Sequence, residues 1–489
     1  MTRPNIILIV IDTLRRDGLE VYSNKTKTPN IVQLSKDALI YPNCISPYSW
    51  TIPSHLAMFT GKYLEQLGLH ETDLSDPRKT VAAFRALTTP FLSERLADLG
   101  YDTIGISANE LVSPSTGLDR GFKYFLRQHY VEYWDPLLED VLAHIRDAYG
   151  TSAAEIARRL IREGRISELW SLYRNVYRIR KRLIRTAGFP KKKGAGRIIE
   201  MLAAGSFEQP FFLFLNFMEL HEPYNSTVNV ADDKYQSLSD LFQFKRLREG
   251  MLSRIRKDYY SEAILVDKYL GYLISYLKRS GLYDNSLIIV TSDHGQGLRE
   301  HGFLGHGTFL HDEIIDVPLI IKYPGNERPV VEDGFQNILD IYGFILNAAE
   351  SAELVPFPSR AVTFSMSCGL NPFWGKSFSQ MSSYYRSRVR DFDRLEKRYF
   401  AKRVAVLDSG YKMVFRPEDA VIEEFTELGK PIGTASHAVE LERLRRLADE
   451  FCGRLAAEPD FTKTVSKSRT SPIDDDEIIE ERLKRLGYM

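Results

Sequence analysis

Asn5-Ile-Ile-Leu-Ile-Val-Ile-Asp12 and Leu287-Ile-Ile-Val-Thr-Ser-Asp293 share one design: a short, continuously apolar, β-branched run that stops at an aspartate. Phe211-Phe-Leu-Phe-Leu-Asn-Phe217 leads in the same way to His221, and Thr103-Ile-Gly-Ile-Ser107 leads to Asn109. Unbroken runs of this length read as strands buried on both faces, the mark of a mostly parallel sheet covered by helices. Helical patterns with proper stops lie between them, Thr89–Leu99 before Gly100 and Tyr259–Leu277 before Gly281. The expected fold class is therefore α/β, a large mostly parallel sheet flanked by helices. Open α/β sheets bind ligands beyond the carboxyl ends of their strands. The polar residues that end these runs are thus expected to converge on one crevice, although each alone also reads as an ordinary strand-end cap or turn former.

With 489 residues the chain is long enough for such a sheet and an appendage. Its 44% apolar and 27% charged residues exclude disorder and fibrous classes. Lys plus Arg and Asp plus Glu both total 65, which removes any global electrostatic case for nucleic acid as a partner. Cys44, Cys368 and Cys452 are few, odd in number and far apart. No disulfide framework or zinc spacing results, and a reducing compartment is expected. The run Ile6–Ile11 is too short for a signal segment, and no stretch has the eighteen or so apolar residues of a membrane span. Cytoplasmic residence is the expectation.

Ser49-Trp-Thr51-Ile-Pro53-Ser54-His55 up to Thr60-Gly61 reads as a short helix with Thr51 as N-cap, Pro53 in the first turn and Gly61 as its stop. A hydroxyl there faces free backbone N–H groups and the positive end of the helix dipole, a favourable place for an alkoxide or a tetrahedral anion. Taken alone, this segment is better explained as an ordinary threonine cap.

Taken with other motifs, the segment resembles the sulfatase family of the alkaline phosphatase superfamily. Asp12-Thr13-Leu-Arg15-Arg16-Asp17, Thr28-Pro29-Asn30-Ile31 and Thr51-x-Pro53-Ser54-His55 are similar to that family's N-terminal half. Asn216-Phe-Met-Glu-Leu-His221-Glu-Pro223-Tyr224 resembles its His-x-Pro-Tyr segment. Ser292-Asp293-His294-Gly295, followed by Glu300-His301-Gly302 and Gly305-His306-Gly307, resembles its Asp-His-Gly signature. Val317-Pro318-Leu319 to Pro324-Gly325 continues in register, and the likeness returns around Val404–Phe425. The resemblance implies an alkaline phosphatase-like sheet and a smaller C-terminal α+β subdomain.

The chain departs from the family at the nucleophile. Sulfatases proper carry Cys or Ser there, converted to formylglycine, whereas the methyl group on the Thr51 β-carbon forbids that conversion. His55 stands where the family has Arg, Thr13 where many members have a second Asp, and His306 where they have Lys. Threonine at this place resembles the phosphoethanolamine and phosphoglycerol transferases and related phosphodiesterases, in which Thr attacks phosphorus.

The resemblance implies a divalent metal held by Asp12, Thr51, Asp293 and His294, an oxygen-rich set with one imidazole that suits Mn²⁺ or Zn²⁺ and tolerates Mg²⁺ or Ca²⁺. Metal-bound Thr51 would be the nucleophile. His221 and His306 are the candidates for general acid or for contacts to the anion's peripheral oxygens. His55 is a candidate partner of the Thr51 oxygen or of the substrate ester, and Asn109 a candidate substrate contact with a turn role open. His301 and His311 read as supporting or structural, Asp17 as a brace through Arg15 or Arg16, and Cys44 as a small buried apolar group.

The expected organisation is a catalytic domain over 1–350, interrupted by a helical basic insertion over 128–200, then a C-terminal subdomain over 351–458 with antiparallel strands and a helix, and finally a polar linker and terminal helix over 459–489. Within the insertion Trp170, Tyr173 and Tyr177 alternate with Arg174, Arg178, Arg180, Lys181, Arg182 and Arg185. Such a stretch either contacts an anionic membrane or substrate peripherally, or presents a solvated basic face. The leading functional reading is a phosphoester hydrolase or phosphoryl transferase acting on an anionic ester of a lipid, glycan or small molecule. The alternatives are a sulfatase working without formylglycine and an inactive binding scaffold.

Overall fold

A computed structural model describes residues 3–70, 74, 77–127, 193–204, 207–222, 224, 249–326, 329–330, 333–351, 355–369, 386, 392–408, 410–427, 429–434 and 436–456. Its strands in chain order are β1 (Asn5–Ile11), β2 (Leu39–Ile45), β3 (Asp102–Ser107), β4 (Tyr124–Arg127), β5 (Phe211–Phe217), β6 (Ser286–Thr291), β7 (Gly297–Leu298), β8 (Leu304–Gly305) and β9 (Asp316–Lys322). They continue with β10 (Gln336–Asn337), β11 (Val362–Ser367), β12 (Arg403–Asp408), β13 (Tyr411–Arg416), β14 (Val421–Glu427) and β15 (Lys430–Pro431). Eight of them form one sheet in the order β10-β2-β9-β6-β1-β5-β3-β4.

The sheet is parallel except at β9, which runs antiparallel to both β2 and β6. Every residue of β1, β5 and β6 is buried, which is why their sequences show no polar alternation. The central register places Ile9 between Leu215 and Val290. Helix Glu249–Arg279 covers one face, burying Tyr259, Val266, Leu270, Leu273 and Leu277 at helical spacing against the same core as Ile7, Ile9 and Leu213. Asp267 of that helix accepts the backbone N–H groups of Asn30 and Ile31 and so anchors the first turn of helix Pro29–Leu34.

The second sheet is antiparallel, in the order β11-β12-β13-β14-β15, and helix Ala438–Ala456 packs on β12 and β13. Residues Met1–Gln128 and Gly194–Ser471 form one compact unit, so the expected boundary at 350/351 falls inside it. Met366 of β11 donates its N–H to Pro47 O, and buried Arg403 of β12 donates to Thr308 O, Ala401 O and Glu423. The expected insertion also ends earlier than residue 200. Helix Ala195–Ala204 turns Ala195, Ile198 and Leu202 into the main core, the spacing of one helix face, so these residues belong to the body. The basic stretch around Arg174–Arg185 and the 459–489 tail lie outside the described residues. No described helix is long and apolar enough to cross a membrane.

Candidate active site

Because β1, β3, β5 and β6 are parallel, their carboxyl ends open on one edge of the sheet. Asp12 follows β1 and extends its ladder, donating its N–H to Phe217 O at 2.9 Å. Asp293 and His294 follow β6, Asn109 follows β3, and His221 follows β5. Thr51 opens helix Thr51–Thr60, whose ten residues are all buried. The helix stops where expected, at Gly61 with φ +68°, and a Cβ there would lie 3.0 Å from the Tyr342 ring.

The start of that helix differs from the expectation. Trp50, extended at φ −156° and ψ 169°, occupies the cap, and Thr51 is already the first helical residue. Its hydroxyl turns away from its own helix, lying 3.3 Å from His294 Nε2 and 3.5 Å from Asp12 Oδ2. The pull of polar groups at the sheet edge outweighs a local cap bond, which is worth only about 1 kcal/mol.

Asp12, Asp293 and His294 are fully buried, and one ligand atom from each lies within 4.8 Å of the others. Asp12 Oδ2 accepts the Asn109 amide at 2.6 Å, and Asp293 Oδ1 accepts the N–H groups of His294 at 2.9 Å and Thr13 at 3.3 Å. Among the described residues Asp12 Oδ1 and Asp293 Oδ2 have no hydrogen-bond partner. Two buried carboxylate oxygens without hydrogen-bond partners are the arrangement a cation satisfies. Burial, with the repulsion of Asp293, raises the Asp12 carboxyl to about 6, and burial raises that of Asp293 to about 7. The His294 imidazole is shifted downward by burial. Its Nδ1–H donates to Gly295 O at 2.9 Å, which leaves Nε2 as the lone-pair nitrogen facing Thr51. The donor set therefore fits a divalent metal.

Local backbone supports this geometry. Thr13, a β-branched residue at φ +59°, is held in the left-handed region so that its N–H reaches Asp293. Gly295 N–H donates to Ile314 O at 2.7 Å, and a Cβ on Gly295 would stand 2.2 Å from Glu313 O. Only glycine allows that approach. As expected, Asp17 is a brace: Arg15 grips both its oxygens and also reaches Glu300 at 2.6 Å.

His55, expected to bond the Thr51 oxygen or the ester, is fully buried. Its Nδ1 donates to Thr51 O at 2.9 Å, and its Nε2 lies 3.3 Å from the Asn216 amide. Burial drops its pKa to about 3, so it stays neutral and braces the first turn of helix Thr51–Thr60. Asn109 likewise works inward, holding Asp12 with Nδ2 and accepting Leu111 N–H with Oδ1 in a turn.

His221 and His306 stand together toward the open side, ring centroids 5.1 Å apart, and His306 is 4.5 Å from the His294 ring. Glu222 and Gln296 join them, and neither was singled out from sequence. Gln296 donates to Glu222 Oε2 at 2.9 Å and faces His306 Nδ1 with Oε1 at 2.7 Å. Burial opposes the charge on Glu222 and is the largest single influence, but the imidazoles of His221 and His306 and its hydrogen bonds together outweigh it and hold the carboxyl down at about 2. The only sequence signal was their position beside His221 and His294. His301 and His311 stack on each other at 4.0 Å and bond Glu313 and Glu424, a structural arrangement.

A mostly parallel sheet that gathers two aspartates, a histidine and a threonine at one edge, beside a C-terminal antiparallel sheet, defines an alkaline phosphatase-like α/β protein. The family model described as Sulfatase matches residues 4–351, and the chain belongs to the sulfatase family. It is 25% identical over 362 residues to an N-acetylglucosamine-6-O-sulfatase of Bacteroides thetaiotaomicron, matching 66% of this chain but only 63% of that protein's length. It is 24% identical over 419 residues to a multifunctional alkaline phosphatase superfamily protein of Trinickia caryophylli, covering 73% and 77% of the two chains. The solved phosphonate monoester hydrolase of Agrobacterium radiobacter superposes with a TM-score of 0.58 at 19% identity, covering 94% of this chain and 97% of that one. At that identity the likeness concerns the fold alone.

Proposed function

We propose that this protein is a metal-dependent hydrolase or transferase of anionic esters, with Thr51 Oγ1 as nucleophile and phosphorus as the centre attacked. One observation carries the reading: the Thr51 hydroxyl lies between Asp12 Oδ2 and His294 Nε2, beside two buried carboxylate oxygens that have no hydrogen-bond partner among the described residues. Asp12, Asp293, His294 and Thr51 would hold a divalent ion, with Mn²⁺ or Zn²⁺ suited to one imidazole among oxygens. When bound, the metal lowers the pKa of the hydroxyl and polarises the ester oxygen.

The chain's own groups supply the rest. Asn109 and the Thr13 N–H orient the two carboxylates. His55 fixes the backbone of Thr51 from behind. His221 and His306 face the anion's peripheral oxygens and the leaving group. Phosphorus is favoured over sulfur because the β-methyl of Thr51 bars the aldehyde that sulfatases proper require. Sulfate ester hydrolysis without that aldehyde is the second reading, favoured by the sulfatase among the relatives.

The test is a panel of nitrophenyl phosphate, bis-nitrophenyl phosphate, phenylphosphonate and nitrophenyl sulfate with Mn²⁺- and Zn²⁺-loaded protein, combined with intact mass after an acid quench. Turnover of phosphorus esters with an added phosphoryl mass on the Thr51 peptide is expected. A sulfate-only enzyme, or phosphate turnover with no adduct in single-turnover mixing, would overturn this assignment.

A further inference from the structure

We infer that Tyr259 is a positioning residue for the crevice: its hydroxyl clamps the loop Asp12–Arg15 in the strained backbone that aims Asp12 and Asp293. The inference rests on the proposed function only in taking those two carboxylates as holders of the ion. Tyr259 lies on helix Glu249–Arg279, is fully buried, and belongs to the main core together with Ile11 and Leu14. Its ring also meets Tyr224 and Tyr260 edge to face, with centroids 5.7 Å and 5.4 Å away. Packing of the ring thus decides where its oxygen stands. Tyr259 Oη donates to Thr13 O at 2.7 Å and accepts the N–H of Arg15 at 2.9 Å. A carbonyl only accepts and a backbone N–H only donates, so both roles of the phenol are used.

The clamp acts on a residue that needs one. Thr13 is β-branched and sits at φ +59°, a conformation that persists only where the surroundings over-determine it. Two of its restraints come from the end of β6: Asp293 Oδ1 accepts Thr13 N–H at 3.3 Å, and Ser292 Oγ accepts Leu14 N–H at 2.9 Å. Tyr259 reaches the same turn from the helix layer and holds its carbonyl side. The bond to Asp293 is the longest of the four and depends on the φ of Thr13. Rotation toward negative φ would swing the N–H off Asp293 and turn the Asp12–Thr13 peptide, next to the Asp12 carboxylate.

Asp293 cannot be the main anchor of this turn. A carboxylate that shares its charge with a cation holds an N–H less strongly, so the Asp293 bond weakens when the ion binds. The phenol has no such second duty, and its two bonds are the same in the empty and the loaded crevice. Partners behind a metal-holding carboxylate orient it in this way without touching the ion. Tyr259 therefore supplies the metal-independent part of the geometry, through backbone two and three residues from Asp12 (Leu14 is bridged between Thr13 and Arg15) and not through any contact with the reacting atoms.

The experiment compares wild type with Tyr259→Phe, which keeps the ring and removes the oxygen, by amide hydrogen exchange and mass spectrometry on the chelator-stripped full chain. Faster exchange is expected in fragments covering Thr13–Arg15, with the rest of helix Glu249–Arg279 unchanged. Zn²⁺ affinity in a chelator competition should fall about tenfold, and kcat with it, while KM stays within about twofold because His221 and His306 lie outside the loop. Adding Thr13→Gly to Tyr259→Phe removes the Cβ that makes the left-handed region costly and should restore most of the affinity, a rescue that a merely stabilising hydroxyl would not show. A lower melting temperature with unchanged exchange in that fragment and unchanged Zn²⁺ affinity overturns the clamp. Wild type gives a check that needs no variant: protected Leu14 and Arg15 amides support the clamp, and amides exchanging there as in an unstructured peptide overturn it. The exchange and affinity changes in a protein that turns over no ester would uphold the clamp and remove the proposed function.

Discussion

Asn109 Nδ2 donates to Asp12 Oδ2 at 2.6 Å, across 97 positions of sequence, while Asp12 Oδ1 has no hydrogen-bond partner among the described residues. The amide thus fixes the carboxylate with one oxygen presented to the crevice. Removing such a supporting partner typically weakens metal binding about 10–100-fold. Asn109→Ala should show that loss in a competition titration against a chelator of known affinity, with a normal circular dichroism spectrum.

Thr51→Ala should reduce turnover by several orders of magnitude, as loss of an activated nucleophile does. Because the hydroxyl makes no cap bond, the melting temperature should stay within a few degrees of wild type. Thr51→Ser keeps the oxygen and should retain partial activity. Near wild-type turnover by Thr51→Ala would require water as nucleophile.

Asp12 and Asp293 have folded-state pKa values raised to about 6 and 7 from an ordinary 3.8. A raised carboxyl binds its proton more tightly folded than unfolded. Its stabilising contribution is complete below about pH 4 and is lost as pH rises through 6 to 7. Chelator-stripped protein should therefore melt progressively lower between pH 5 and pH 7.5 in the contribution of this pair. Added Mn²⁺ or Zn²⁺ should reverse the trend at pH 7.5 and do little at pH 5, where protons compete for the same oxygens. Differential scanning fluorimetry at both pH values, with and without metal, checks the sign.

Gly295→Ala places a Cβ about where Glu313 O already sits. Overpacking of this kind costs about 1–3 kcal/mol and displaces the strand-end loop carrying Asp293 and His294. A lower urea midpoint together with weakened metal binding is the expected pair of effects. A loss of stability with unchanged metal affinity would mean the loop yields elsewhere.

Arg403 is fully buried and serves Thr308 O, Ala401 O and the Glu423 carboxylate. Arg403→Met strands those acceptors and should cost about 3–5 kcal/mol, the range for breaking one side of a buried ion pair. Because Thr308 lies two residues after His306, the variant's KM for an anionic ester should also rise.

The sheet was legible because its central strands are buried on both faces, and the physics that buries them also writes an unbroken apolar run into the chain. Asp12, Asp293 and His294 were legible because each ends such a run. Gln296 and Glu222 were not. Their importance comes from one side-chain hydrogen bond across 74 positions, which leaves no periodic trace. The turn of Thr51 away from its own helix was hidden for the same reason: local propensity favours a cap, and only the assembled edge shows a stronger partner. The inward roles of His55 and Asn109 depend on tertiary burial, which residue type does not reveal.

The register of β1 has a consequence for how the protein is made. Thr13 meets Asp293 across 280 positions, and β1 is flanked by strands that come about 200 and 280 residues later. At about 5–20 residues per second, a ribosome needs roughly 15–60 seconds to supply the missing half of the crevice. Asn5–Ile11 lacks both of its sheet neighbours until Phe211–Phe217 is made, and Asp12 lacks Asp293 and His294 beside it until the end of that interval. An ion held by Asp12, Asp293 and His294 together would accordingly be captured late in biogenesis.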